Sequence, residues 1–194
     1  MKNMKINNVV ERFCALPVQG RFEKFEHLPY VANIIEHHVQ GYSRGTINGQ
    51  RYAGFTHSDN DEGKIIFTTG TNGDVVYVTT PEYNHPSGIQ FFDRYAFVST
   101  SHKGAKVFVY DVEQLISEYT TEPIKTFSFS NHGGTTMGVA DFEYCGKSYI
   151  MLAIISNESL CYFYISENSN SIDELNFKSY GYSPLGSIRC PVYK

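Results

Sequence analysis

Residues 85–111 read HPSGIQFFDRYAFVSTSHKGAKVFVYD. A histidine stands three residues before a glycine. Three short runs of aromatic and β-branched residues follow, broken by Asp93-Arg94 and by the polar stretch around Lys103-Gly104. Such runs, punctuated by turn residues, are strands. The same anchors, His then Gly then Tyr then strand-like runs, occur on either side. One set starts at His38, in HVQGYSRGTINGQRYAGFTHSDNDEGKIIFTTG. The other starts at His132, in HGGTTMGVADFEYCGKSYIMLAIISNESLCYFYIS.

The spacing is regular. Gly41, Gly88 and Gly138 lie 47 and 50 residues apart, and the tyrosines that follow are Tyr52, Tyr95 and Tyr149. Glycine to tyrosine is 11, 7 and 11 residues, which reads as one hairpin with a shorter turn in the middle unit. Four strand runs fit each of the segments 37–84, 85–131 and 132–182. Residues 1–36 are left as an N-terminal segment and 183–194 as a C-terminal closing segment, all within one domain. Asn72-Gly73 supplies positive-φ turn residues between IIFTTG and VVYVTT. Only VANIIEHH and DVEQLISEY read as helical, and each is short.

Four strands in about 45 residues is the period of a propeller blade. Over residues 31–182 the chain resembles β-propeller repeat proteins, and the second segment is similar to blades of uncharacterised bacterial six-bladed propellers. It lacks the Trp-Asp and Gly-His pairs of WD40 repeats and the Gly-Gly pattern of kelch repeats. The resemblance implies an all-β array of four-stranded antiparallel blades. Three blades are too few to close a ring. The terminal segments would seal a fourth blade, or two chains would assemble six blades, or the chain is part of a longer propeller. Dimerisation is the favoured expectation. A β-sandwich or barrel is the alternative fold.

Composition agrees with strands around a core: 41% hydrophobic, 15 Tyr and 14 Phe against no Trp, and 19% charged. The net charge is −4, and no basic run alternates with aromatics, so nucleic acid is not an expected partner. No apolar run approaches the length of about 18 residues needed to span a membrane, and the N-terminus has no signal-peptide core. A cytoplasmic location is the expectation. Cys14, Cys145, Cys161 and Cys190 form no close CxxC pair and read as buried free thiols.

The propeller resemblance implies that the first strand of each blade lines a central channel. His38, His85 and His132 would then converge at its mouth. Three imidazoles can hold a divalent metal with an open position for water. A structural role, with each histidine locking one blade to the next, is favoured over ligation because the three sit on separate loops. Three residues past each glycine lie Arg44, Phe91 and Asp141; two past lie Ser43, Gln90 and Ala140. Alternation puts only one set in the channel. Arg44 and Asp141 would pair there or hold a polar ligand, with Gln90 as a further ligand candidate. Asp59, Asp61 and Glu62 lack the spacing of a calcium loop. Ser87 has no nucleophile-elbow context. The expectation is a non-catalytic module that binds a protein or glycan through loops, needs no cofactor and forms a homo-oligomer. The alternative is a metal-assisted hydrolase or lyase.

Overall fold

A computed structural model describes residues 11, 14, 15, 38–58, 63–70, 75–80, 85–100, 104–120, 122–129, 134–156 and 160–184. Three four-stranded antiparallel sheets follow one another along the chain, each a simple meander. Sheet 1 holds β1 (His38–Ile47), β2 (Gln50–Ser58), β3 (Gly63–Thr69) and β4 (Val75–Thr80). Sheet 2 holds β5 (Pro86–Phe92), β6 (Tyr95–Thr100), β7 (Ala105–Asp111) and β8 (Lys125–Phe129). Sheet 3 holds β9 (Gly134–Tyr144), β10 (Lys147–Ser156), β11 (Leu160–Glu167) and β12 (Lys178–Pro184). None of these sheets closes into a barrel. The described sheets make the fold all-β, and α1 (Val112–Glu118) is a short helix among the described residues.

The first hairpin of each sheet shares one register. Gly41 opposes Thr56, Gly88 donates its amide to Ser99 Oγ at 3.1 Å, and Gly138 opposes Ala153. Each of these three first hairpins closes with two residues: Asn48-Gly49, Asp93-Arg94 and Cys145-Gly146. Asn48 and Gly49 have φ of 48° and 83°, and Cys145 and Gly146 have 49° and 74°, the mirror-image turns that match strand twist. The expectation of a shorter turn in the middle unit is therefore corrected. Its arms are shorter instead, by two residues on each side. A two-residue deletion keeps every side chain on its own face, because the strand period is two.

Each sheet turns a forward face to the sheet that follows it in sequence. Ile65 and Phe67 of sheet 1 pack with Ile89, Ala96, Val98, Phe108 and Tyr110 on the rear of sheet 2. Phe97, Val107, Val109, Phe127 and Phe129 on the front of sheet 2 pack with Met137, Val139, Ile150, Leu152 and Ile154 on the rear of sheet 3. The middle sheet is thus buried on both faces, and its strands read as continuous apolar runs. β5 lies against β1 on one side and β9 on the other. Helix α1 adds Val112, Leu115 and Ile116 to the first core. Its N-cap is Asp111, whose carboxylate accepts the Gln114 amide at 3.2 Å and the Arg94 guanidinium.

Glycine is required where the sheets come closest. A Cβ on Gly41 would run into the Ser87 carbonyl and sit 2.7 Å from Thr56 Oγ1. A Cβ on Gly88 would lie 2.8 Å from the Met137 amide nitrogen. At Gly138 the nearest atom, Gln90 Oε1, is 3.6 Å away, an ordinary contact.

Of the cysteines, Cys161 is buried, while Cys14 and Cys145 are exposed, against expectation. The polar two-residue turn leaves the Cys145 side chain nothing to pack on. Cys190, VANIIEHH up to its last residue, and the Asn72-Gly73 turn lie outside the described residues. No helix among the described residues is long and apolar enough to cross a membrane.

Candidate functional site

Three polar side chains of the first hairpins, Ser43, Thr56 and Gln90, serve the seams between sheets. Strand side chains project from the two faces of a sheet, and here those faces meet neighbouring sheets. Ser43 Oγ accepts the Phe91 amide at 3.0 Å, and Thr56 Oγ1 donates to the Ser87 carbonyl, joining sheets 1 and 2. Gln90 makes the second seam. Its Nε2 donates to the Val139 carbonyl at 2.7 Å and its Oε1 accepts the Val139 amide at 2.9 Å. Ser43, Gln90 and Ala140 hold equivalent places, and only Ala140, on the last sheet, has no polar group to offer.

The histidines follow the same logic as far as they are described. His85, just ahead of β5, sits 3.0 Å from Gln40 Nε2 through its own Nε2, and Gln40 also donates to Ser58 Oγ at 3.1 Å. Sheet 1 is thereby tied to the chain entering sheet 2. His38 is the first residue of β1, paired in register with Ser58. His132, His102 and the acidic stretch at 59–62 lie outside the described residues. Among the described residues no three His, Cys, Asp or Glu side chains come together as a metal site. Ser87 Oγ donates to the His85 backbone carbonyl at 3.3 Å.

Arg44 and Asp141 occupy rear faces of their sheets, opposite Ala53 and Ile150. Arg44 is exposed and Asp141 half-buried, and no ion pair joins them. The reason is topological. Their side chains project from the faces by which sheets stack, on sheets 1 and 3 with sheet 2 between them.

Sequence reasoning missed a recess at the far end of sheet 3. It encloses about 550 Å³ and is lined by Tyr149, Ile165, Glu167, Asn168, Glu174 and Lys178. A second hollow of about 290 Å³, between sheets 2 and 3, shares Asn168 and adds Arg94, Tyr95 and Ile172. Asn168 donates through Nδ2 to Ser148 Oγ at 3.2 Å, while its buried Oδ1 has no hydrogen-bond partner among the described residues. The Glu167 carboxylate, 2.7 Å from Lys147 Nζ, holds that ammonium above the ordinary lysine value. The run ENSNSIDE signals a polar loop, but nothing in it says that the loop folds back beside Tyr149.

Of the five exposed tyrosines among the described residues, Tyr42 lies on β1 and Tyr119 at the end of α1, and the other three lie on sheet 3. Tyr180 is 79% exposed, Tyr144 67% and Tyr182 65%, and Tyr182 lies against Tyr162 with ring centroids 5.7 Å apart. No protein-family model matches the chain, and no curated protein matches its sequence.

Proposed function

We propose that the protein is a non-catalytic binding or scaffolding module, an array of propeller-type blades that recognises a partner through sheet 3. One observation carries this reading. Ser43 and Gln90 of the first strands are engaged in seams between sheets, whereas three of the five exposed tyrosines among the described residues gather on sheet 3, two on β12 and Tyr144 at the end of β9. Tyrosine gives large, rigid contact area with a polar tip, at low entropic cost. A protein surface is the ligand this favours. A glycan is the other class that stacks on tyrosine.

The module would act by presenting a rigid strand surface. Its own sheets are stapled by Gln90, Ser43 and Thr56, so a partner would meet a preorganised face. The test has two arms. Purified protein is assayed against ester, lactone and phosphoester substrates with zinc, manganese or calcium, and no turnover above blank is expected. Turnover that disappears in His85→Ala would overturn the reading in favour of the hydrolase. A glycan array and a defined set of candidate protein partners are then probed with wild type and with Tyr180→Ser/Tyr182→Ser. Binding that survives the double substitution, at unchanged stability, removes sheet 3 as the recognition surface.

A further inference from the structure

The forward face of each sheet is built to be covered. On sheet 2 that face is sealed: Phe97, Ser99, Val107 and Val109 are each 0% exposed beneath sheet 3. The same face of sheet 3 holds Gly138, Ala140 and Phe142 on β9, Tyr149, Met151 and Ala153 on β10, and Phe163 and Ile165 on β11. It is apolar, yet Ala140 is exposed and the others stand partly open. The gap in front of Gly138 fits this picture. Gly41 and Gly88 are pressed against the next sheet, and Gly138 meets nothing closer than 3.6 Å.

We infer that a second copy of this chain covers that face, with its own forward face of sheet 3, in a symmetric dimer. Three observations select this occupant. First, the six-bladed ring expected from the sequence needs sheet 3 of one copy to meet the rear of sheet 1 of the other. That rear face is a poor match for it: Ala53, His57 and Ile66 are 5%, 1% and 2% exposed, and the exposed side of the same face, along β1 and the start of β2, carries the charged Arg44 and Arg51 beside Val39 and Tyr42. The open face with an uncharged centre is sheet 3's own, and a face that pairs with itself generates a two-fold axis. Second, the charge pattern suits a self-contact. The centre of the face carries no charge, and its end holds both signs, Lys147 ion-paired with Glu167 and Lys178 beside them. Such an apolar centre with a charged rim is ordinary interface anatomy. Third, the size is sufficient. Four strands spaced ~4.8 Å apart, about nine residues long at ~3.3 Å each, make a plane on the order of 570 Å² per copy. Two copies bury about 1,100 Å², near the lower bound of specific interfaces.

The inference goes beyond the binding reading, because it concerns the face of sheet 3 rather than the tyrosines on its outer edge. Sedimentation velocity on the full chain, from about 1 to about 100 μM, tests it. Wild type is expected to form a reversible dimer and nothing larger. Ala140→Arg, at an exposed position, is expected to keep the wild-type circular dichroism and raise the dissociation constant at least ~100-fold. Met151→Arg probes the same face at its centre. A wild-type monomer across the range overturns the inference. So does growth beyond the dimer, which signals head-to-tail contact, and so does a dimer that survives both substitutions with the fold intact. Loss of partner binding in Tyr180→Ser/Tyr182→Ser with an intact dimer would leave this inference standing, and survival of that binding would count against the binding reading alone.

Discussion

The carboxamide of Gln90 and the backbone of Val139 exchange two hydrogen bonds, at 2.7 and 2.9 Å, across the boundary between sheets 2 and 3. One side chain thus does for a single residue what a neighbouring strand does for a whole ladder. β9 is an edge strand of its sheet, so the Val139 amide and carbonyl on its free edge have no strand partner. A backbone pair left bare in a part-buried seam costs free energy.

Gln90→Ala should therefore destabilise the fold by roughly 1–3 kcal/mol, because it strands both groups of Val139. Gln90→Glu should recover part of that loss. A carboxylate still accepts the amide but has no proton for the carbonyl. Urea unfolding of the three proteins gives the ranking. Equal midpoints for wild type and Gln90→Ala would show that the staple contributes nothing.

The glycines make a graded series. Gly88→Ala pushes a methyl into the Met137 amide, and Gly41→Ala pushes one into the Ser87 carbonyl. Backbone cannot rotate away as a side chain can, so each should cost on the order of 1–3 kcal/mol. Gly138→Ala meets only ordinary contact and should lie within about 0.5 kcal/mol of wild type. Thermal melts decide the matter. A Gly138→Ala protein as damaged as Gly88→Ala would mean that something already fills the space before sheet 3.

Alkaline stability should carry the mark of Tyr110. Burial, with the Glu122 carboxylate adding to it, pushes this phenol well above its ordinary value. The folded state then holds the proton more tightly than the unfolded chain does. Stability contributed by the neutral phenol is fully present below the unfolded value of about 10 and is lost as pH rises above it. Tyr52, Tyr95 and Tyr164 shift the same way, each chiefly through burial. Denaturant midpoints measured upward from about pH 9 should fall less steeply in Tyr110→Phe. Parallel slopes for the two proteins would remove Tyr110 from the account.

The turn at Cys145-Gly146 offers a stabilising change. Cys145 is an exposed residue at a φ of 49°, where asparagine is the better fit, as Asn48 shows in the first hairpin at 48°. Cys145→Asn should raise stability by a few tenths to about 1 kcal/mol. It also removes an exposed thiol. A lower melting temperature under reducing conditions would contradict the argument from backbone conformation.

Much of the local structure is written in the chain. Runs such as YAFVST and KVFVYD alternate or saturate with β-branched and aromatic residues. Those choices specify strands without help from distant contacts. Asn48-Gly49 names its own turn, and Asp111 names the start of α1. The error in the middle hairpin is instructive. A separation of 7 rather than 11 between glycine and tyrosine cannot say whether turn or arms were shortened. Pairing decides it, since only the arms can lose two residues each and keep their faces.

What the sequence by itself determined is the kind of element: short strands, tight turns and an aromatic-rich core. These follow from local sterics and from the two-residue period of apolar burial. Only the tertiary structure decided where each polar side chain acts. Gln90 looked free to hold a ligand until β9 came within 3 Å of it. Arg44 and Asp141 looked like partners until stacking placed them on different sheets. The open face of sheet 3 is invisible in the sequence for the same reason. Met151 and Leu152 are neighbours and both apolar, and what separates their burial is that sheet 2 lies against one side of β10 and no described sheet lies against the other. Burial is a property of position among sheets, and positions among sheets are set by long-range packing rather than by any local run of residues.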